Sequence, residues 1–136
     1  MKSPTSRIVL ITGANKGIGL EIARQVGKAG HSVLVGARDL TLGEAASTIL
    51  KTEGIEVRFI QIDLCRLATI RAAAATTETD YRRLDVLVNN AGIADRVDGP
   101  PSKASLDAVR RIFETNFFGT PAVTQAMLPL LCRTPN

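Results

Sequence analysis

With 136 residues, 45% of them hydrophobic and 22% charged, the chain has the composition of one globular domain, which excludes repeat, collagen-like and disordered classes. Its 17 basic and 13 acidic residues leave +4, and no Lys/Arg stripe or cluster stands out, so nucleic acid is not an expected partner. Two cysteines, Cys65 and Cys132, and one histidine, His31, supply neither a disulfide framework nor a metal-ligand spacing, so reduced thiols behaving as small buried hydrophobes, and no metal, are expected.

The first element is the continuous apolar run Ile8-Val9-Leu10-Ile11, the pattern of a strand buried on both faces of a parallel sheet. From Ile18 the period lengthens: Ile18, Ile22, Ala23 and Val26 share one helical face, and Gly30 is placed to stop the helix. His31 falls in the loop before a second strand, Ser32 to Ala37. Leu42, Ala45, Ala46, Ile49 and Leu50 then mark a second amphipathic helix ending near Gly54. Val57 to Ile62 is a third strand, followed by Asp63, and Leu67 to Thr77 a third helix whose four consecutive alanines leave its buried face unassigned. Val86-Leu87-Val88 forms the fourth strand and leads into Asn89-Asn90-Ala91-Gly92. A breaker loop, Asp98-Gly99-Pro100-Pro101-Ser102, precedes a long helical region from about Leu106 to Leu131, which Pro121, lacking an amide hydrogen, should break or kink.

The sum is βαβαβαβα, which calls for a parallel sheet with helices on both faces: a single α/β/α domain over residues 1–136. The apolar run at Ile8 is too short for a signal peptide. The longest uncharged stretch, Phe117 to Cys132, is 16 residues and carries Pro121 and Pro129, whereas a membrane helix needs about twenty. A soluble cytoplasmic protein with no membrane partner is expected.

The turn Gly13-Ala14-Asn15-Lys16-Gly17-Ile18-Gly19 lies between the first strand and the first helix, the context that a dinucleotide site requires. Gly13 permits the tight turn, Gly17 lets the backbone approach a pyrophosphate, and Gly19 lets the helix pack against the sheet. The helix N-terminus then presents free N–H groups to the anion. No Gly-Lys-Ser/Thr follows, so this is not a Walker loop, and no Gly-x-Ser-x-Gly elbow accompanies His31. The end of the second strand decides between dinucleotides. Arg38 stands there, and with Lys16 it suits the 2′-phosphate of NADP. Asp39 follows immediately, and a strand end one or two residues later would suit NAD instead. NADP, with NADPH preferred over NADH, is the expected cofactor.

Thr12-Gly13-x-x-x-Gly17-x-Gly19, Asp63-Leu64 and Asn89-Asn90-Ala91-Gly92, in this order, make the chain resemble the short-chain dehydrogenase/reductase family, and the spelling of the turn resembles its carbonyl-reductase-like members. The resemblance implies a Rossmann-type doubly wound sheet of order 3-2-1-4 and an oxidoreductase passing hydride between NADPH and a small carbonyl or alcohol substrate. It also implies roles. Gly13, Asn15, Lys16, Gly17, Ile18 and Gly19 would line the pyrophosphate and adenosine ribose, and Arg38 the 2′-phosphate. Asp63 and Leu64 would hold the adenine. Asn90, Ala91 and Gly92 would border the cofactor while Asn89 helps to fix the sheet. Asn116 would join a proton relay through its backbone. On the bare residues, Asp63 reads equally as a helix cap, Asn89 and Asn90 as polar groups closing a strand end, and Asn116 as a polar residue at a kink.

The family's chemistry also uses a serine and a Tyr-x-x-x-Lys pair. The one tyrosine here, Tyr81, precedes the fourth strand and is followed four residues later by Asp85. The sequence therefore reads as the cofactor-binding part of such an enzyme, truncated after the fourth strand and the following helix. A catalytically inactive NADP-binding module, or an interaction protein pairing with an intact homologue, is the alternative. The fourth strand would be an exposed edge, and Val109, Ile112, Phe113, Phe117 and Phe118 would seek partners, so a marginal, homo-oligomeric or aggregation-prone chain is expected.

Overall fold

The computed structural model describes residues 5–94 and 99–133. Four parallel strands, β1 (Ile8–Ile11), β2 (Ser32–Ala37), β3 (Val57–Gln61) and β4 (Val86–Val88), form one sheet in the order β3-β2-β1-β4. Of helices α1 (Gly17–Lys28), α2 (Leu40–Thr52), α3 (Leu67–Tyr81), α4 (Leu106–Phe113) and α5 (Thr120–Leu131), all but α4 pack on its faces; α4 packs chiefly on the π-helical segment, Glu114–Gly119, that joins it to α5. Successive strand residues point to opposite faces, which explains the unbroken apolar runs. Leu10 and Leu34 enter one core with Ile70 of α3 and Val123, Met127 and Leu130 of α5. Val9, Ile11, Val33 and Val35 enter the other with Ala23 of α1 and Ala46 and Leu50 of α2. No helix among the described residues is long and apolar enough to cross a membrane, and no group of three or more potential metal ligands occurs among them.

Several expectations change. The buried stripe of α2 is Gly43, Ala46, Ser47 and Leu50, whereas Leu42, Ala45 and Ile49 are exposed. Gly43 sits against the Phe59 ring with no room for a side chain, so the helix approaches β3 through its small residues. On α1, Ile18 is 76% exposed instead of joining the face of Ile22, Ala23 and Val26. Strand β3 ends one residue early, although Ile62 remains buried. Helix α3 runs on to Tyr81, and within it the Thr77 and Thr79 hydroxyls donate to the carbonyls of Ala73 and Ala75, four residues back.

Pro121 neither breaks nor interrupts the last helical region. The backbone stays helical on both sides, and the winding widens to π in the six residues Glu114–Gly119 before Pro121 takes its place in the first turn of α5. Both cysteines are free but exposed, and the Cys65 thiol lies 3.1 Å from the Thr115 hydroxyl instead of in the core. Of the breaker loop, Asp98 lies outside the described residues; Pro100 to Lys103 closes through Lys103 N donating to Pro100 O at 2.8 Å.

Candidate functional site

The sheet order reverses at β1, whose neighbours are β2 on one side and β4 on the other. A crevice at the carboxyl ends of strands flanking such a reversal is where open α/β sheets hold ligands. Here it is a cleft of about 370 Å³. Its walls include Gly13, Asn15, Lys16, Gly17, Ile18 and Gly19 from the turn, and Arg38 from the end of β2. Asp63 and Leu64 beyond β3, and Asn90, Ala91 and Gly92 beyond β4, complete the set expected from sequence. Asp39, Leu42, Ile62, Ile93 and Thr115 also line it.

Thr12, 2% exposed, ties the two sides together and was absent from the residues expected at the site. Its hydroxyl oxygen accepts the amides of Asn90 and Ala91 at 3.1 and 3.0 Å and donates to Val88 O at 3.4 Å. The Asn90 amide group returns the contact, donating to Thr12 O at 3.0 Å and Gly13 O at 3.2 Å. The β1 turn and the β4 exit are therefore one hydrogen-bonded unit. The available signal was a threonine directly after a fully apolar strand, where a buried hydroxyl must find partners.

Gly13 adopts φ +62°, and a Cβ there would come within 2.8 Å of Ala91 Cα. Gly19 is the point of close approach: a Cβ would lie 2.5 Å from Asn90 Nδ2 and from Gly13 O. Gly17 is different, since at φ +57° a Cβ would meet no atom within 4 Å and would project into open space. Helix α1 begins after Lys16 in extended conformation, with no side-chain cap and no acid in its first turn. Its leading amides and positive dipole end are thus left for an anion. This cradle, open at Gly17 and rich in backbone donors, fits a dinucleotide pyrophosphate.

Lys16 and Arg38 are both exposed, and neither forms an ion pair among the described residues. Asp39 is placed otherwise: its Oδ1 accepts from Leu42 N at 2.8 Å as the cap of α2. Asp63 does not cap α3, whose N-cap is Arg66; its Oδ1 accepts from Cys65 N at 3.0 Å. Asn89 joins β4 to α5 through Nδ2 donating to Thr124 Oγ1 at 3.1 Å.

Asn116 stands just outside the cleft, in the π-helical segment. Its Oδ1 accepts from Ile93 N and its Nδ2 donates to Ile93 O, each at 2.8 Å. Its own carbonyl accepts from Thr120 Oγ1 at 3.3 Å. In π winding the donor to that carbonyl would be residue 121, and Pro121 has no N–H. Tyr81 is remote from all of this, half-buried against the core between α3 and α5, and Asp85 is held by Ile8 N, which donates to Oδ2 at 2.7 Å.

A parallel sheet with a glycine turn, an uncapped helix N-terminus and a crevice at its reversal point defines the doubly wound, Rossmann class. The family model for short chain dehydrogenases matches residues 7–136, and the chain belongs to that family. It is 43% identical over 132 residues to carbonyl reductase (NADPH) 1 of Sus scrofa, covering 95% of this chain and 44% of that protein. Carbonyl reductase (NADPH) 3 of Homo sapiens is 40% identical over 131 residues, with 95% and 46% covered. Among solved structures, an actinorhodin polyketide ketoreductase with NADPH superposes at TM-score 0.86 and 35% identity, over 94% of this chain and 48% of that one. A menthone neomenthol reductase from Mentha piperita gives 0.86 at 29% identity, over 96% and 57%. The chain spans about half the length of these relatives.

Proposed function

We propose that the chain is a single NADP(H)-binding domain of a reductase acting on a small carbonyl or alcohol substrate in a cytoplasmic setting. The observation that carries this is the pairing of two cations at the cleft, Lys16 and Arg38, free of ion pairs among the described residues, with an Asp39 carboxylate engaged in capping α2. Cations there suit a 2′-phosphate, and Arg in particular binds phosphate through its fork of donors. The α1 N-terminus and the glycine turn bind the pyrophosphate. Asp63 and Leu64 take the adenine, and Asn90, Ala91 and Gly92 border the nicotinamide half. When bound, the nicotinamide supplies or accepts the hydride. The Asn116 carbonyl, with no donor at position 121, holds a relay water.

Reduction of a carbonyl also needs a proton donor at its oxygen. The described lining of the cleft contains no serine or tyrosine, so the part taken by these residues is cofactor binding and the tail of the relay. Relatives named as carbonyl reductases favour this reading over a binding module without turnover. Self-association is a further part of the proposal, supported by the sheet-edge position of β4 and by Phe117 and Phe118, 62% and 59% exposed. Light scattering that gives a monomer mass would overturn it.

Fluorescence titration with NADPH and NADH at low salt tests the central claim. NADPH should bind at least about tenfold more tightly, the increment of a charge-assisted phosphate contact. Equal affinities, or preference for NADH, would refute it.

A further inference from the structure

We infer that Asp39 governs cofactor selectivity as a positioning residue: it caps α2, thereby fixes Arg38 at the cleft rim, and does not itself read the adenosine ribose. The inference rests on the NADP reading above and goes on to assign the acidic neighbour of its main cation.

The bend between β2 and α2 is pinned from two sides. Arg38 O accepts from Gln61 Nε2 of β3 at 3.1 Å, and Asp39 Oδ1 accepts from Leu42 N at 2.8 Å. The Asp39 carbonyl also receives the first helical bond, from Gly43 N at 3.0 Å. No acidic side chain occupies the first turn of α2 itself, so among the described residues the Asp39 carboxylate, as its N-cap, answers the orphan amides and dipole of that helix end. Gly43, one turn in, packs flush on Phe59 and leaves α2 no slack against β3. The start of α2 is thus anchored to the sheet, and the cap transmits that anchorage back one residue to Arg38. Arg38 has no other restraint on its side chain among the described residues, so the backbone that carries it sets where its guanidinium can reach. A carboxylate aimed at a ribose diol would serve NADH; one held by a helix amide serves the helix.

The test measures NADPH and NADH dissociation constants for the wild-type chain and for Asp39→Asn, Asp39→Ser and Asp39→Ala, with thermal melting of each. Asn and Ser both cap helices, whereas Ala does not. Asp39→Ala should weaken NADPH by about three- to tenfold and NADH by about twofold or less, so the ratio falls, the scale being that of a lost N-cap. Asp39→Asn and Asp39→Ser should restore the ratio to within about twofold of wild type. Two outcomes overturn the inference alone: a ratio unmoved by Asp39→Ala, as a purely structural cap would give, or a selective loss of NADH in Asp39→Asn and Asp39→Ser, as a ribose ligand would give. A wild-type chain that does not prefer NADPH overturns the site reading first and this inference with it.

Discussion

Asn116 grips both main-chain polar atoms of Ile93, accepting from its amide and donating to its carbonyl at 2.8 Å each. One side chain from the π-helical segment thereby fixes the backbone just beyond Gly92, where the chain leaves β4 along the cleft. Gly92 borders this side chain, since a Cβ built there would lie 3.4 Å from Asn116 Oδ1. The arrangement commits both polar atoms of the Asn116 side chain to Ile93, while its main-chain carbonyl accepts from Thr120 Oγ1.

Replacing Asn116 with Ala removes both bonds and should destabilise the chain by about 1–2 kcal/mol, the net value of two partly exposed hydrogen bonds. Asn116→Asp keeps the acceptor for Ile93 N but leaves Ile93 O without its donor, and should lose stability more at neutral than at acidic pH. Urea unfolding at pH 4 and pH 7 measures both effects. Equal stabilities of wild type and Asn116→Ala would show that the clamp contributes nothing.

The double change Lys16→Ala, Arg38→Ala should weaken NADPH by about ten- to a hundredfold and NADH by about threefold or less, because only NADPH carries the extra phosphate. Added salt should narrow the wild-type difference between the cofactors, since both cations are exposed and screened. Isothermal titration at two salt concentrations reads both outcomes, and matching losses for the two cofactors would remove the 2′-phosphate assignment.

Two glycines of the same turn should respond differently to alanine. Gly19→Ala drives a methyl into Asn90 Nδ2 and Gly13 O, so folding should suffer by about 1–3 kcal/mol, as in other overpacked sites. Gly17→Ala meets open space at positive φ and should cost about 1–2 kcal/mol of backbone strain, yet it obstructs the anion cradle. Gly17→Ala should therefore lose more NADPH affinity than its melting temperature alone explains, a comparison that melting and titration make together.

Ser47 is fully buried on α2, and its hydroxyl has no hydrogen-bond partner among the described residues. Ser47→Ala removes that unsatisfied group and supplies a better helix former, so the chain should gain up to about 1 kcal/mol. A loss of stability in chemical denaturation would mean that the hydroxyl is paired in solution.

Away from the cleft, Arg24 and Lys28 of α1 hold the Glu53 carboxyl below the usual carboxylate range, Arg24 first by its hydrogen bonds and Lys28 second. A carboxyl lowered in the folded state contributes stability above its unfolded value, and that contribution fades as pH falls through the folded one. Glu53→Gln should therefore flatten the acid limb of a stability–pH curve below the ordinary glutamate range and leave the alkaline limb unchanged. Because the group is exposed, the effect should shrink in high salt.

Much of the architecture is set by local pattern. Four runs of strand length, three intervening helical periods and a glycine turn between strand and helix admit little but a parallel sheet with right-handed crossovers and helices on both faces. Its order, 3-2-1-4, followed only from the family resemblance, because another doubly wound order meets the same rules. The cleft residues from Gly13 to Gly92 were legible for the same reason: backbone demands at strand ends select residue types that can be read singly. Relationships between distant segments were not legible. Which stripe of α2 faces the sheet depended on Phe59, a residue on another strand, and the role of Thr12 depended on amides 78 and 79 positions away. The widening of the last helix ahead of Pro121, the commitment of Asp39 to Leu42 and the hold of Asn116 on Ile93 were likewise decided by packing, because sequence periodicity reports which faces are apolar and not what they meet. Residue pattern marked the strand ends one by one; the tertiary structure brings them together at one cleft.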